Sequence, residues 1–228
     1  IGCATCHDTK TMKLQVKQLA LQEAFKRQGR DINKATHQEM RSLVCAQCHV
    51  EYYFKGDKKH LTFPWDKGMT IEKMEEYYDA EGWTDYVHSL SRTPILKAQH
   101  PDYELSQLGI HGQRGVSCAD CHMPYKTDGA VKFSDHHISS PLRNVSASCQ
   151  TCHRQSEEEL VKNVYDRQDA VYGMRMKLEK QLAKVHFKAK FLWDNGATEE
   201  QMKPTLALIR KSQWRWDMVH SSHGAAFH

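Results

Sequence analysis

All eight cysteines of this 228-residue chain lie in four Cys-x-x-Cys-His units, and no other feature restricts what it can fold into so strongly. The units are Cys3-Ala4-Thr5-Cys6-His7, Cys45-Ala46-Gln47-Cys48-His49, Cys118-Ala119-Asp120-Cys121-His122 and Cys149-Gln150-Thr151-Cys152-His153. From this composition one such unit is expected by chance roughly 0.02 times per chain, so four that use every thiol are not accidental. Two thiols at this spacing add across the vinyl groups of a porphyrin, and the imidazole one residue later reaches the iron as proximal ligand. Zinc sites would need ligand pairs matched by distance, and a thiol–disulfide redox pair would need a βαβ setting, which is missing. The units therefore read as attachment sites for four haem c groups, with His7, His49, His122 and His153 as proximal ligands.

Four haems in 228 residues leave too little chain to build a separate apolar core around each, so the haems are expected to be closely spaced. The low apolar content of 39% and mean hydropathy of −0.72 fit a fold in which porphyrins supply part of the core. The formal charge of +4 does not point to nucleic acid. Each oxidised haem adds roughly −1 through its propionates, which brings the loaded protein to about neutral. No stretch approaches the ~20 apolar residues of a membrane span. Because haem c is attached outside the cytoplasm, the expected location is the periplasm. The chain starts at Ile1, two residues before the first motif, and stops at His228 just after a helical pattern. Both ends read as cut from a longer mature protein.

The pattern of residues is helical, with long loops and no sustained period-two alternation. A helix is expected over about residues 12–28 and a shorter one over 38–44, leading into the second motif. Residues 56–68 and 91–115, punctuated by Pro and Gly, read as mostly loop, and 70–90 as holding one short helix. Ser156 with Glu159 forms a capping box, followed by Leu160, Val164, Val171, Met174, Leu178, Leu182, Val185 and Leu192. That is a helix of roughly ten turns, stopped at Asp194-Asn195-Gly196. Thr198 with Gln201 opens a second helix towards His220, with Pro204 as a place where it can kink. The fold class expected is mainly α, one multihaem cytochrome domain over residues 1–228 with 156–228 as a long-helix region.

Eleven further histidines, at 37, 60, 88, 100, 111, 136, 137, 186, 220, 223 and 228, could supply sixth ligands. Spacing alone does not assign them. A family resemblance does. Cys45-Ala-Gln-Cys-His-Val-Glu-Tyr-Tyr-Phe54, Leu96-Lys-Ala-Gln-His-Pro101, Gly109-Ile-His111, Ser134-Asp-His136, Gln213-Trp-Arg-Trp-Asp217 and Ser222-His-Gly224 occur in this order. Together they resemble the ammonium-forming pentahaem cytochrome c nitrite reductases, over essentially the whole chain. The resemblance implies His136 as distal ligand of the first haem here (His137 as fallback), His228 of the second and His111 of the third. The distal ligand of the fourth comes from a portion preceding these motifs.

The resemblance further implies that Tyr52 and His100 face the substrate. Glu51 and Gln99, with the carbonyls of Tyr52 and Lys97, would hold a structural calcium ion, a hard cation suited to carboxylate and carbonyl oxygen. Without the resemblance, Tyr52 and His100 would pass for a packed core tyrosine and a hydrogen-bonded histidine. Nitrite as substrate, a membrane-bound quinol-oxidising cytochrome as electron donor and a homodimer packed through the long helices are implied in the same way. The family's catalytic haem is usually attached by Cys-x-x-Cys-Lys, which this chain lacks, so a fifth haem is expected upstream. Two other readings remain: a tetrahaem electron-transfer protein without a substrate, and an octahaem relative of nitrite reductase and hydroxylamine oxidoreductase.

Overall fold

The computed structural model describes residues 1–222 and 224–227. The chain opens with the one-turn helix α1 (Cys3–Cys6), then α2 (Leu19–Arg27) and α3 (His37–Ala46), which carries the second motif at its end. A hairpin of β1 (Tyr53–Lys55) and β2 (His60–Thr62) leads to α4 (Ile71–Ala80) and to a second hairpin, β3 (Tyr86–Val87) with β4 (Pro94–Ile95). The short helices α5 (Asp102–Leu108), α6 (Ile110–Gln113) and α7 (Cys118–His122) follow. A third hairpin, β5 (Tyr125–Asp128) with β6 (Val131–Ser134), pairs Tyr125 with Ser134. After α8 (Val145–Ser148) come the two long helices, α9 (Glu157–Asp194) and α10 (Glu199–Ser221), which pack on each other.

Both long helices start and stop where side-chain chemistry dictates. Glu159 N–H donates to Ser156 Oγ at 3.2 Å while Ser156 N–H donates to the Glu159 carboxylate at 3.1 Å, satisfying two otherwise unpaired donors. Thr198 and Gln201 repeat the exchange for α10. Between them Gly196, at φ +83°, makes the left-handed turn that ends α9, and Ala197 N–H closes on the Leu192 carbonyl at 3.0 Å. Helix α10 runs unbroken through Pro204, five residues after its start, where only one intrahelical bond is lost.

The main core gathers Leu21 and Phe25 of α2, Leu43 of α3, Phe63, Trp65, Met74 and Tyr78 around Trp214 and Met218 of α10. Helix α10 is pinned to this core along its length. Trp214 Nε1 donates to the Ile71 carbonyl at 3.0 Å, and Arg210 donates to the Pro94 and Trp83 carbonyls at 2.9 Å each. Thus the last helix braces the β3–β4 hairpin and the segment that follows it.

Three expectations change. Residues 12–18 are extended rather than helical, and the helix begins only at Leu19. Leu14 bridges to His7, and the Gln47 carboxamide accepts from Lys17 N–H at 2.8 Å and Gln18 N–H at 3.1 Å, so tertiary bonds outcompete local propensity. The stretches read as loop contain β2, β4, α5 and α6. In α9 only Val164, Leu182, His186 and Ala189 are buried, while Met174 and Leu192 of the expected apolar stripe are exposed.

Candidate functional site

Each motif is wound as a helical turn. His7, His49 and His153 donate their N–H groups to the carbonyls of Cys3, Cys45 and Cys149 at 2.8, 3.0 and 2.9 Å, and α7 spans the third motif whole. A turn of this kind puts both thiols and the imidazole on one face, because residues three and four apart are neighbours on a helix. All eight thiols are free of disulfides.

Thiols of consecutive motifs are neighbours. The Cys45 thiol is pushed up chiefly by the neighbouring Cys118 thiol, with burial adding to it. Burial pushes the Cys6 thiol up, with Cys48 adding to it, and pushes Cys121 up to about 11, with Cys149 adding to it. Helix α3 packs on α7 and α7 on α8, so the four motifs follow one another through space as they do along the chain.

Three of the motif imidazoles are anchored through Nδ1. His7 Nδ1 lies 2.8 Å from the Met12 carbonyl and His122 Nδ1 3.0 Å from that of Ser139, while His49 Nδ1 lies 3.2 Å from the Asp102 carboxylate. With Nδ1–H donating in each, Nε2 is left to a metal, the arrangement second-shell acceptors impose on ligating histidines. The hydrogen bond that His49 donates to Asp102 raises the His49 pKa above its ordinary value. Asp102 is held in turn by Ser222, whose Oγ donates at 2.7 Å.

Two histidines from outside the motifs face motif imidazoles. The rings of His7 and His136 have centroids 6.1 Å apart at 40°, and those of His111 and His153 are 6.1 Å apart at 83°. Imidazoles on opposite sides of one metal, each bonded at about 2.0 Å, have ring centres about 6 Å apart, so both pairs suit a shared iron. His136 is further fixed by Nδ1 against the Ser134 carbonyl at 2.9 Å. His137 instead turns to Asp135 and has a side chain 94% exposed. The expectation that His111 serves the third motif is not what the structure gives: its ring meets His153 of the fourth. The reason lies in the packing of α6 on α5. At Gly112 an added Cβ would lie 2.0 Å from the Ser106 carbonyl oxygen, so only glycine lets α6 fold back tightly on α5. His228 lies outside the described residues. The unpaired thiols, the anchored imidazoles and the two facing pairs fit haem c.

Glu51 follows the second motif and is fully buried. One carboxylate oxygen accepts from Tyr78 OH at 2.8 Å and the other from Gln99 N–H at 2.7 Å. Its own N–H donates to Glu104 at 2.9 Å, and Trp65 Nε1 donates to the same Glu104 oxygen at 2.7 Å. The second Glu104 oxygen is buried with no hydrogen-bond partner. Burial raises the pKa of Glu51 well above the carboxylate range and that of Glu104 to about 8. Among the described residues neither forms an ion pair, although buried carboxylates are costly without a counter-charge. A hard cation beside Glu51 and Glu104 would offset this buried charge, and the Gln99 N–H bond to Glu51 gathers the segment carrying Lys97 and Gln99 beside it.

Tyr52 and His100, both half-buried, stand face to tilted face with ring centroids 5.5 Å apart. His100 Nδ1 lies 2.9 Å from the Cys48 carbonyl of the second motif, which fixes the ring and leaves Nε2 outward. The structure therefore brings together Glu51, Tyr52, Gln99 and His100, which lie 48 residues apart at the Glu51–Gln99 bond. Sequence reasoning missed Asp102 and Glu104 because they fall in a stretch read as loop. Asp85 and Asp217 were also missed as functional; they accept the N–H groups of Lys97 and Ala98 at 2.9 and 2.8 Å.

The cytochrome c552 family model matches residues 1–228. The chain is 69% identical over 228 residues to cytochrome c-552 of Bacteroides thetaiotaomicron, covering all of this chain and 46% of the relative. It is 67% identical to that of Porphyromonas gingivalis, with the same coverage. Among solved structures it resembles the catalytic subunit of cytochrome c nitrite reductase from Desulfovibrio desulfuricans, in which two calcium sites are described. The TM-score is 0.93 at 36% identity, over all of this chain and 52% of that one. The chain spans about half the length of the relatives it matches. It belongs to the cytochrome c552 family.

Proposed function

We propose that this chain is the electron-relay body and part of the active-site wall of a periplasmic nitrite reductase that forms ammonium by six-electron reduction. The observation that carries this reading is the Tyr52–His100 pair, tilted together at 5.5 Å beside the buried Glu51 carboxylate. A phenol and an imidazole in contact can bind a small oxyanion by hydrogen bonds and pass protons to it as its oxygens leave. His100 keeps Nε2 for that purpose because Nδ1 is engaged by Cys48.

Haem c, when bound, supplies one-electron redox chemistry, and a further haem outside the four motifs would supply the iron that takes nitrite. The chain's own residues do the rest. The eight motif cysteines anchor the groups in sequence, and His7, His49, His122 and His153 hold them from one side. His136 serves the first motif and His111 the fourth, in keeping with the ring pairs at 6.1 Å. Calcium would be held by Glu51, Gln99 and the carbonyls of Tyr52 and Lys97, offsetting buried negative charge. A homodimer through α9 is supported by the exposed Tyr165, Tyr172, Phe187 and Phe191 on that helix, from 53% to 66% accessible. Electrons would come from a membrane-bound quinol-oxidising cytochrome. Among the described residues no helix is long and apolar enough to cross a membrane.

The test is nitrite turnover with reduced dye in the full-length holoenzyme. Tyr52→Phe and His100→Ala are expected to lower it about a hundredfold with haem content unchanged, the usual scale for losing a positioned proton donor. Unchanged turnover in both variants would remove the site assignment.

A further inference from the structure

Three consecutive backbone N–H groups, those of Lys97, Ala98 and Gln99, each donate to a different carboxylate. Lys97 donates to Asp85 at 2.9 Å, Ala98 to Asp217 at 2.8 Å and Gln99 to Glu51 at 2.7 Å. The three acceptors come from distant parts of the chain: the start of the β3–β4 hairpin, helix α10 and the turn after the second motif. Ala98 is buried, where its amide cannot turn to water, and three separate acidic side chains on successive amides amount to a built clamp.

A peptide unit is planar and trans, so its N–H and C=O point in opposite directions. The N–H of Ala98 and the carbonyl of Lys97 belong to one unit. Whatever holds the first therefore sets the direction of the second. The holder here is Asp217, and it is a rigid one. Asp217 lies three residues after Trp214 and two after Arg215, and α10 is pinned there by Trp214 to the Ile71 carbonyl at 3.0 Å and by Arg215 to Glu75 at 3.0 Å.

We propose that Asp217 is a positioning residue for the cation site: by fixing the Ala98 N–H it turns the Lys97 carbonyl into place as a ligand, and it thereby couples helix α10 to the wall that carries His100. This rests on the reading of Glu51, Tyr52, Lys97 and Gln99 as calcium ligands. Asp217 does not touch the ion. It acts through the peptide unit, so an uncharged acceptor of the same shape serves as well as the carboxylate.

The experiment is calcium titration of the chelator-treated, full-length holoprotein, followed by metal analysis at buffered free calcium. Asp217→Ala is expected to weaken calcium binding about 10- to 100-fold, the scale for losing a second-shell partner. Asp217→Asn, whose carboxamide oxygen can still accept from Ala98, is expected to stay within about threefold of the parent on that scale. Visible spectra of the haems should be the same in all three. If Asp217→Ala fails to assemble its haems, Asp217→Ser, too short to reach Ala98, replaces it with the same expectation. Equal calcium affinity in Asp217→Ala and the parent overturns the proposal, as does Asn failing as badly as Ala, which would mark a charge effect. A parent protein that binds no calcium overturns the ligand reading as well, so the two failures are told apart.

Discussion

The imidazole of His111, on the short helix α6, lies 6.1 Å from that of His153 and almost perpendicular to it, at 83°. His136 stands at the same distance from His7, at 40°. Two pairs built from four different parts of the chain share one spacing, and that spacing is what a metal between two imidazoles requires. Each pair is therefore spaced to hold an iron between its two rings.

His111→Ala and His136→Ala should each open one coordination position without loss of covalent haem. Electron paramagnetic resonance of the oxidised holoprotein should show one haem converted from low to high spin in each variant, and two in the double variant. A low-spin signal undiminished in His111→Ala would show that the ring contact with His153 has no coordinating role.

Asp102 makes His49 a stronger donor by accepting from Nδ1, and Ser222 holds Asp102 in place. A more basic imidazole favours the ferric state. Asp102→Asn is thus expected to raise one haem midpoint potential by tens of millivolts, about 60 mV for each tenfold change in the ratio of ligand affinities for the two oxidation states. Ser222→Ala should shift the same haem in the same direction by less. Spectroelectrochemical titration reads both, and a lower potential in Asp102→Asn would contradict the assignment.

His88 and His186 stack with ring centroids 3.7 Å apart at 19°, and His186 Nδ1 lies 2.8 Å from Ser91 Oγ. Burial lowers both pKa values below 6.5, and for His186 the neighbouring His88 adds to it. The folded state then binds fewer protons than the unfolded chain, so the stack's contribution is present above pH 6.5 and is lost as pH falls from there through the depressed values. The thermal midpoint should decline over this window. His88→Phe, which keeps a ring in the stack, should flatten the decline. An equally steep decline in that variant would place the proton uptake elsewhere.

The helix ends were legible because they depend on local bonds. Ser156 with Glu159, Thr198 with Gln201 and Gly196 act within one turn of themselves, so the sequence carries the whole signal. Residues 12–18 were not legible, since their extended form depends on Gln47, some thirty residues away. The hairpins have strands of two to four residues, too short for alternation to show. At the site, the thiols and proximal imidazoles declare themselves by spacing, and Glu51, Tyr52 and His100 were found through the resemblance. Asp85, Asp102, Glu104 and Asp217 escaped because each acts through a hydrogen bond formed only in the folded chain. The pairing of His111 escaped for the same reason: the close approach of Gly112 to Ser106 is a tertiary fact.

Covalent attachment of haem at all four motifs is the claim on which everything else depends, and peptide mass spectrometry of the purified protein tests it directly. The account predicts that each of the four motif peptides carries one haem by two thioether bonds, and that no motif thiol reacts with an alkylating agent. Motif peptides of unmodified mass with alkylated cysteines, from material lacking a Soret band, would contradict it.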